Sequence, residues 1–344
     1  MAIAISEEIN LTTFPNSGLN TLYFGGGTPS LLELIDLEKI IGSLKNKTDF
    51  FQIKEITLEC NPEDVNEESL KNWHKLGISR LSIGLQSLQD NELKAMNRCH
   101  SASDSWACLE AIKKYGHFEV SVDLIYGTPW KSNIEWEQEL DKIIGHPAVK
   151  HLSAYALTIE QKTKLYHQIQ KGDVKAAPDE KMVEQFYILQ NKIKHFQWDA
   201  YEISNYCAPN HRAEHNSQYW KYSPYFGVGP AAHSYDGHNK RYVNIANNAK
   251  YIKALSQKEL PRTYEYLSEI DQLNERLMTG LRTKEGIKTH QLLLLKASWE
   301  TENHRLIQQY LNQGFLIQTH EGFALSENGK LISDQIISNL MVIN

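Results

Sequence analysis

Residues 121–129 read SVDLIYGTP, a β-branched and aliphatic run that contains one aspartate and ends in a glycine turn. The run predicts a buried strand over 119–125. Similar runs predict further strands over 21–24, 56–59, 80–85 and 151–158. Their spacing of about 25 to 40 residues is typical of βα units. The sequence therefore predicts an α/β protein with a parallel sheet, arranged as a partial TIM-like (βα) barrel.

Helical periodicity fills the gaps between these strands. Apolar residues recur at three- and four-residue steps over 69–76 and 90–96, as in crossover helices. Asn66 with Ser69 predicts the cap of the first helix, and Ser87 with Asp90 predicts that of the second.

The last part of the chain has a different character. The sequence predicts helices over 275–281, 290–295 and 302–314, then strands over 315–319 and 322–325, an order typical of a small α+β winged-helix module. We therefore divide the chain into a barrel over 1–200, a loop-rich extension over 201–262 and a winged-helix-like domain over 263–344. Since the last domain is not basic, we expect it to serve packing or an interface.

Composition excludes several classes of protein. The 344 residues are 41% hydrophobic and carry a net charge of −6, which argues against nucleic acid as a partner. No apolar run approaches the roughly 20 residues that span a bilayer, so we expect a cytoplasmic protein. The four cysteines form no CxxC pair, and this favours reduced thiols over a disulfide framework or a zinc site.

Polar residues follow three successive predicted strands. Glu59 lies in LECNP, Gln86 in SIGLQS and Asp123 in SVDLIYGTP. A buried, unpaired carboxylate costs several kcal/mol or shifts its pKa. Because βα barrels build their sites at the carboxyl ends of the strands, we expect these three side chains to meet at one mouth.

A glycine loop precedes them. Gly25, Gly26, Gly27 and Thr28 follow the first predicted strand, where bare backbone lets a ligand approach closely. Carboxylates suit ribose hydroxyls and an ammonium group, and Arg98 can pair with a ligand carboxylate. This inventory fits an amino acid joined to a nucleoside.

The order of seven motifs resembles the HemN and HemW branch of the radical S-adenosylmethionine (SAM) proteins over residues 20–340. The motifs are GGGTPSLL, LECNPE, RLSIGLQS, MNRCH, VDLIYGTP, HNSQYW and GVGPAAHS. The resemblance implies SAM contacts for Gly26, Gly27 and Thr28, where the family loop meets the methionine amino group. It implies the remaining SAM contacts for Glu59, Gln86, Arg98 and Asp123. It assigns no catalytic residue and no metal ligand to this chain.

The block HNSQYW, residues 215–220, is similar to the HemW side of that branch. The resemblance implies a heme chaperone that passes heme to apo-proteins, with His215 and His233 as candidate heme contacts because imidazole can ligate iron. Each histidine alone is more often a hydrogen-bonded structural residue. The alternative function is an oxygen-independent coproporphyrinogen III oxidase of porphyrin biosynthesis, which oxidatively decarboxylates propionates.

One family feature is missing from these residues. The family carries a first barrel strand and a CxxxCxxC segment whose thiolates hold a [4Fe-4S] cluster, and this chain has neither. Residues 1–11 resemble the end of the helix that follows that segment. Either the chain is a shortened form of an ordinary member, or it is a natural relative without the cluster. We expect the first, because a barrel without its first strand exposes a sheet edge.

Overall fold

The computed structural model of the protein describes residues 1–15 and 18–343. Contacts group the chain into two compact units, described separately below. The barrel unit comprises Leu22–Leu32 and Glu55–Ala213, and the second unit comprises Met1–Thr21, Glu33–Lys54 and Glu214–Asn344. The division into three domains made from the sequence stays a prediction.

The helices are α1 (Ala2–Leu11), α2 (Leu34–Lys47), α3 (Glu67–Leu76), α4 (Asp90–Ala95), α5 (Ala102–Tyr115), α6 (Asn133–Ile144), α7 (Lys164–Lys171), α8 (Asp179–His195), α9 (Glu214–Trp220), α10 (Asn248–Ser256), α11 (Glu269–Leu281), α12 (Thr289–Leu293), α13 (Trp299–Asn312), α14 (Glu327–Leu331) and α15 (Ser333–Leu340). The strands are β1 (Thr21–Phe24), β2 (Glu55–Cys60), β3 (Arg80–Gln86), β4 (Glu119–Tyr126), β5 (Val149–Ala156), β6 (Asp199–Ala200), β7 (Asn205–Cys207), β8 (His233–Tyr235), β9 (Lys240–Asn244), β10 (Arg262–Tyr266), β11 (Ile287–Lys288), β12 (Leu316–Gln318) and β13 (Gly322–Leu325).

The barrel unit is built on a seven-stranded sheet in the order β1-β2-β3-β4-β5-β7-β6. Strands β2 to β5 are parallel, and β7 pairs antiparallel with β5 and β6. This confirms the predicted α/β fold with a partial (βα) barrel. The five predicted strands are all present, with ends that differ by at most two residues from those predicted.

The two faces of this sheet differ in chemistry. One face is aliphatic and fully buried, with Leu81, Val122 and Leu152 among its residues. The other face, here called the polar face, carries Glu55, Thr57, Glu59, Arg80, Ser82, Gln86, Glu119, Ser121, Asp123, His151, Ser153 and Tyr155. Side chains alternate along a strand, so every second residue of β2 to β5 points to this face.

A buried hydrogen-bond chain crosses the polar face. Ser121 Oγ lies 2.7 Å from His151 Nδ1, and His151 Nε2 lies 2.7 Å from the Tyr201 hydroxyl. Burial lowers the pKa of His151 to about 3. The imidazole is therefore neutral at physiological pH, and both of its nitrogens are used in the fold.

One predicted helix cap is confirmed and the other is wrong. Asn66 and Ser69 form the reciprocal capping box of α3. Ser87 does not cap α4: its hydroxyl donates to the Glu92 carboxylate, and Asp90 accepts from the Ala102 backbone N–H. The buried carboxylate of Glu92 is a stronger acceptor than any group at the start of α4, so the hydroxyl turns toward it.

In the second unit, the N-terminal helix α1 carries a fully buried carboxylate, that of Glu8. It accepts from Gly229 N at 2.9 Å, Asn244 Nδ2 at 2.7 Å and Arg262 at 2.9 Å, and also from the Tyr251 hydroxyl. Four donors satisfy the charge without water. Glu8 thus ties α1 to β9, β10, α10 and the GVGP turn.

The end of the chain has the predicted winged-helix-like order. Helices α11, α12 and α13 accompany a three-stranded antiparallel sheet, β11-β13-β12, in which Gly322 pairs with Lys288. The sequence interpretation missed α14 and α15. It also placed the HNSQYW block in a loop-rich extension over 201–262, whereas the block lies on helix α9.

Candidate functional site

The glycine loop and the first strand-end carboxylate are in direct contact. Glu59 Oε1 accepts from the Tyr23 hydroxyl at 2.8 Å, and its Oε2 accepts from the Gly26 backbone N–H at 3.2 Å. Gly26 has a φ of +81°, a left-handed conformation that favours glycine. The turn therefore aims its amide at the carboxylate, and Gly27 and Thr28 continue the loop on the exposed side.

Gly25 allows this close approach. A Cβ atom at this position would lie 2.6 Å from Tyr23 Cε1 and 2.8 Å from Glu59 Oε1. No other residue fits without displacing both side chains. A second tie holds the loop, because Ser30 Oγ donates to Asp64 Oδ2 at 2.6 Å in the turn after β2.

Asp123 is the second carboxylate of the site. Burial raises its pKa to about 6, with a further increase from the charge of Glu59, while the Ser153 hydroxyl and the Arg98 charge act in the opposite direction. These contributions place Asp123 in the electrostatic field of both Glu59 and Arg98. A carboxyl group whose pKa is shifted toward neutral pH is typical of functional sites.

Gln86 ends β3 in a strained conformation, with a φ of +65°. Its side chain folds back over Gly84: a Cβ atom on Gly84 would lie 2.9 Å from Gln86 Nε2. The amide therefore lies on the polar face, with both donor and acceptor groups available for hydrogen bonds. Strain of this kind at a non-glycine residue clusters at ligand sites.

Together these groups form a small polar mouth. Glu59 and Asp123 offer two carboxylates, Gln86 an amide, Arg98 an exposed guanidinium, and Gly26 to Thr28 an open backbone. Such a set can bind hydroxyls and an ammonium with the carboxylates and a carboxylate with the guanidinium. The sequence interpretation missed Tyr23 and Ser153, although both lie on the polar side of their strands.

His215 lies in the second unit, at the start of α9. Its Nδ1 is 2.8 Å from Thr21 Oγ1, and its Nε2 is 3.1 Å from the Tyr219 hydroxyl. The helix brings residues four apart onto one face and so places His215 beside Tyr219. Both ring nitrogens take part in hydrogen bonds, so ligation of iron would require one of these bonds to break.

His233, the other candidate, has an exposed side chain at the start of β8. On the same unit, an aromatic cluster joins Tyr219 to Tyr225 at 5.0 Å and Tyr222 to Tyr235 at 4.7 Å between ring centroids. The first pair packs edge-to-face and the second is tilted; Tyr235 is buried, whereas Tyr219, Tyr222 and Tyr225 are at least partly accessible. An accessible aromatic ring can pack against a large planar ligand.

The cysteines do not fit an iron-sulfur cluster. Cys60, Cys108 and Cys207 are buried and Cys99 is exposed. Burial raises the pKa of Cys108 to about 12 and that of Cys207 to about 11, and it also raises the pKa of Cys60 well above its usual range. Within residues 1–15 and 18–343, no group of three or more His, Cys, Asp or Glu side chains is arranged to hold a metal. No step through a cluster follows from these residues.

Across the part of the chain that the structure describes, no helix is both long and apolar enough to cross a membrane.

Two family models match the chain. A model of the radical SAM superfamily matches residues 5–143, and a model of the HemN C-terminal domain matches residues 267–332. The first match contains the glycine loop, Glu59, Gln86, Arg98 and Asp123.

Curated relatives match along most of the chain. The heme chaperone HemW of Bacillus subtilis is 29% identical, covering 97% of this chain and 89% of the relative. The HemW of Synechocystis is 34% identical, covering 84% and 70%. A mitochondrial radical SAM domain-containing protein 1 of Mus musculus is 30% identical, covering 94% and 76%.

Among solved structures, that of coproporphyrinogen III oxidase (HemN) from Escherichia coli, a radical SAM enzyme, is similar to this chain. The TM-score is 0.81 at 17% identity, covering 99% of this chain and 82% of that chain. At this identity, the likeness shows a common fold.

Proposed function

Because the chain belongs to the HemW branch of the radical SAM family, we propose that it is a heme chaperone, which binds heme and transfers it to apo-proteins. The observation that carries this proposal is the 34% identity with a curated HemW, together with further HemW relatives matched over nearly the whole chain. The aromatic cluster beside α9 supports it, since porphyrins present a flat apolar face.

SAM is the second ligand of the proposal. In the radical SAM family, a reduced [4Fe-4S] cluster would supply the electron that breaks a carbon–sulfur bond of the SAM sulfonium. The cysteines of this chain do not fit that cluster. We assign the loop of Gly26, Gly27 and Thr28 to the amino group of SAM, with Glu59 and Asp123 for its hydroxyl and ammonium groups, Arg98 for its carboxylate and Gln86 for a remaining contact. The hydrogen bonds of Glu59 to Tyr23 and Gly26 orient its carboxylate before ligand arrives.

Calorimetric titration of SAM into the chain tests this site. Glu59→Ala removes a charge-assisted hydrogen bond of about 1.5 to 3 kcal/mol, so we expect affinity to fall by more than about tenfold. Glu68→Ala, an exposed carboxylate on α3, should leave affinity unchanged. If a folded Glu59→Ala variant bound SAM as tightly as the parent chain, the role of Glu59 would be structural only.

For heme, we assign the 215–220 block and His233 as contacts. His233 is the more accessible ligand for iron, because both nitrogens of His215 are hydrogen-bonded. We infer that His233 ligates the iron and that His215 orients Tyr219 against the porphyrin. Neutral imidazole is an ordinary axial ligand of heme.

Titrating heme while following the Soret band separates these roles. His233→Ala should shift the band and weaken binding, His215→Ala should weaken binding without shifting the band, and His304→Ala on α13 should change neither. A band shift in His215→Ala alone would transfer the axial role to His215. Consumption of SAM with conversion of propionates to vinyl groups, in place of heme retention, would favour the alternative coproporphyrinogen III oxidase.

A further inference from the structure

A cluster of three charged side chains is completely buried behind the mouth of the barrel unit. Lys131 Nζ lies 3.0 Å from Glu92 Oε2 and is also paired with Glu139. The Lys131 and Glu92 side chains are 0% exposed and that of Glu139 is 3% exposed. We call these three residues the buried triad.

The triad lies between the segments that carry the site. Glu92 is on α4, which connects Gln86 at the end of β3 to Arg98. Lys131 follows the YGTP turn at the end of the strand that contains Asp123. Glu139 is on α6, and the Lys131 ammonium also lies 5.0 Å from the centre of the Trp136 ring on that helix.

Each member of the triad bonds to a turn or to the end of β4. Glu139 Oε1 accepts from the Leu88 backbone N–H at 2.6 Å, two residues after Gln86. Glu92 accepts from the Ser87 hydroxyl in the same turn and from the Thr128 hydroxyl in the YGTP turn. Lys131 Nζ donates to the Ile125 carbonyl at 3.4 Å, two residues after Asp123.

Burying three charged groups in a protein core carries a large desolvation free energy. Two carboxylates and one ammonium bury more negative than positive charge, and an apolar core of the same volume is often as stable or more stable. Burial raises the pKa of Glu139, while the charge of Lys131 acts in the opposite direction. Stability alone therefore gives no reason to keep three charged groups there.

We propose that the buried triad is a positioning device for the SAM site: it locks the turns after β3 and β4 so that Gln86, Arg98 and Asp123 face one ligand. The proposal rests on the SAM site assigned above. Pre-organised turns lower the ordering cost of binding, and a buried cluster of paired charges that is hydrogen-bonded to both segments favours a single arrangement of the two turns.

Hydrogen exchange, followed by mass spectrometry on the whole chain, tests the device without any ligand. In Lys131→Met and Glu92→Gln, we expect peptides covering 86–98 and 126–131 to exchange about tenfold faster or more, because their turns lose bonds to the triad. Peptides of β2 should be unchanged. Glu92→Gln keeps the shape of the side chain and tests the idea even if Lys131→Met fails to fold.

Lys192→Met is a matched control. Lys192 also pairs with two carboxylates, Glu137 at 2.9 Å and Asp141 at 2.8 Å, and joins α8 to α6 away from the two turns. It should leave both turns and SAM affinity unchanged, whereas the triad variants should lower SAM affinity by about tenfold.

The two readouts have different consequences. Unchanged exchange in the two turns, or faster exchange spread evenly over the barrel unit, would overturn the positioning role. If the parent chain binds no SAM, the assigned site fails, while the exchange result still decides whether the triad orders the turns.

Discussion

Asp123 occupies a costly position for a carboxylate, since it is desolvated on the polar face of β4 and lies within the field of Glu59. Its pKa of about 6 in the folded chain compares with an ordinary value of 3.8. The native state therefore takes up a proton more readily than the unfolded chain between these values, and stability falls as the pH rises through that window. Ligand binding can compensate a residue that the fold alone disfavours.

We expect Asp123→Asn to melt at a higher temperature than the parent at about pH 7, and the difference to shrink toward about pH 4, where the parent carboxyl is protonated. The same variant should lose SAM affinity. Melting temperatures across this range, measured by circular dichroism, check the expectation. A difference that does not vary with pH would show that the charge of Asp123 costs no stability.

The polar residues at strand ends could be predicted from the sequence, because a carboxylate that follows an aliphatic run can be recognised without knowledge of the fold. The partners of those residues could not. Ser87 bonds to Glu92 and Thr128 also bonds to Glu92, although Thr128 is 36 residues further along the chain. Only the packing of α4 against the turn after β4 brings these groups together.

At the level of elements, β-branched and aliphatic runs made the five strands predictable. Helix α9 was missed because its seven residues, EHNSQYW, have little helical periodicity and owe their form to contacts such as that of His215 with Thr21. Short helices depend on tertiary packing more than on propensity. By contrast, α1 was expected to be helical because residues 1–11 resemble the end of a family helix.

Helix α1 should be essential for the second unit. Glu8→Ala would leave Arg262 and Asn244 without their buried acceptor, so we expect a loss of about 3 to 5 kcal/mol in the free energy of unfolding. Glu7→Ala, one residue away, should change it by less than about 0.5 kcal/mol. Urea unfolding monitored by tryptophan fluorescence gives both values, and similar losses in the two variants would mean that helix propensity matters more than the Glu8 bonds.

For the whole molecule, the positions of the four cysteines limit the iron-sulfur chemistry that this sequence can support. Cys60, Cys108 and Cys207 are buried and Cys99 is exposed, and no three of the four have the CxxxCxxC spacing that holds the family's cluster. Membership of the radical SAM family implies SAM and a [4Fe-4S] cluster, yet this chain offers a ligand mouth without thiolates for the iron.

Anaerobic reconstitution with iron and sulfide should therefore give no stoichiometric [4Fe-4S] absorption and no 5′-deoxyadenosine from SAM. A thiol reagent should label only Cys99 in the native chain and all four cysteines in denaturant, since the buried thiols resist ionisation. About four irons per chain, with release of 5′-deoxyadenosine, would contradict this expectation.

The polar face of β2 to β5 also affects how stability changes with temperature. Barrel interiors are usually filled by Val, Ile and Leu, whereas this face is lined with Ser, Glu, His and Asp. Exposing apolar surface raises the heat capacity on unfolding, and exposing polar surface lowers it. Scanning calorimetry should give a heat-capacity change near or below the low end of about 12–15 cal/mol/K per residue. The curve of unfolding free energy against temperature would then be flatter, so this free energy would decline slowly on both warming and cooling.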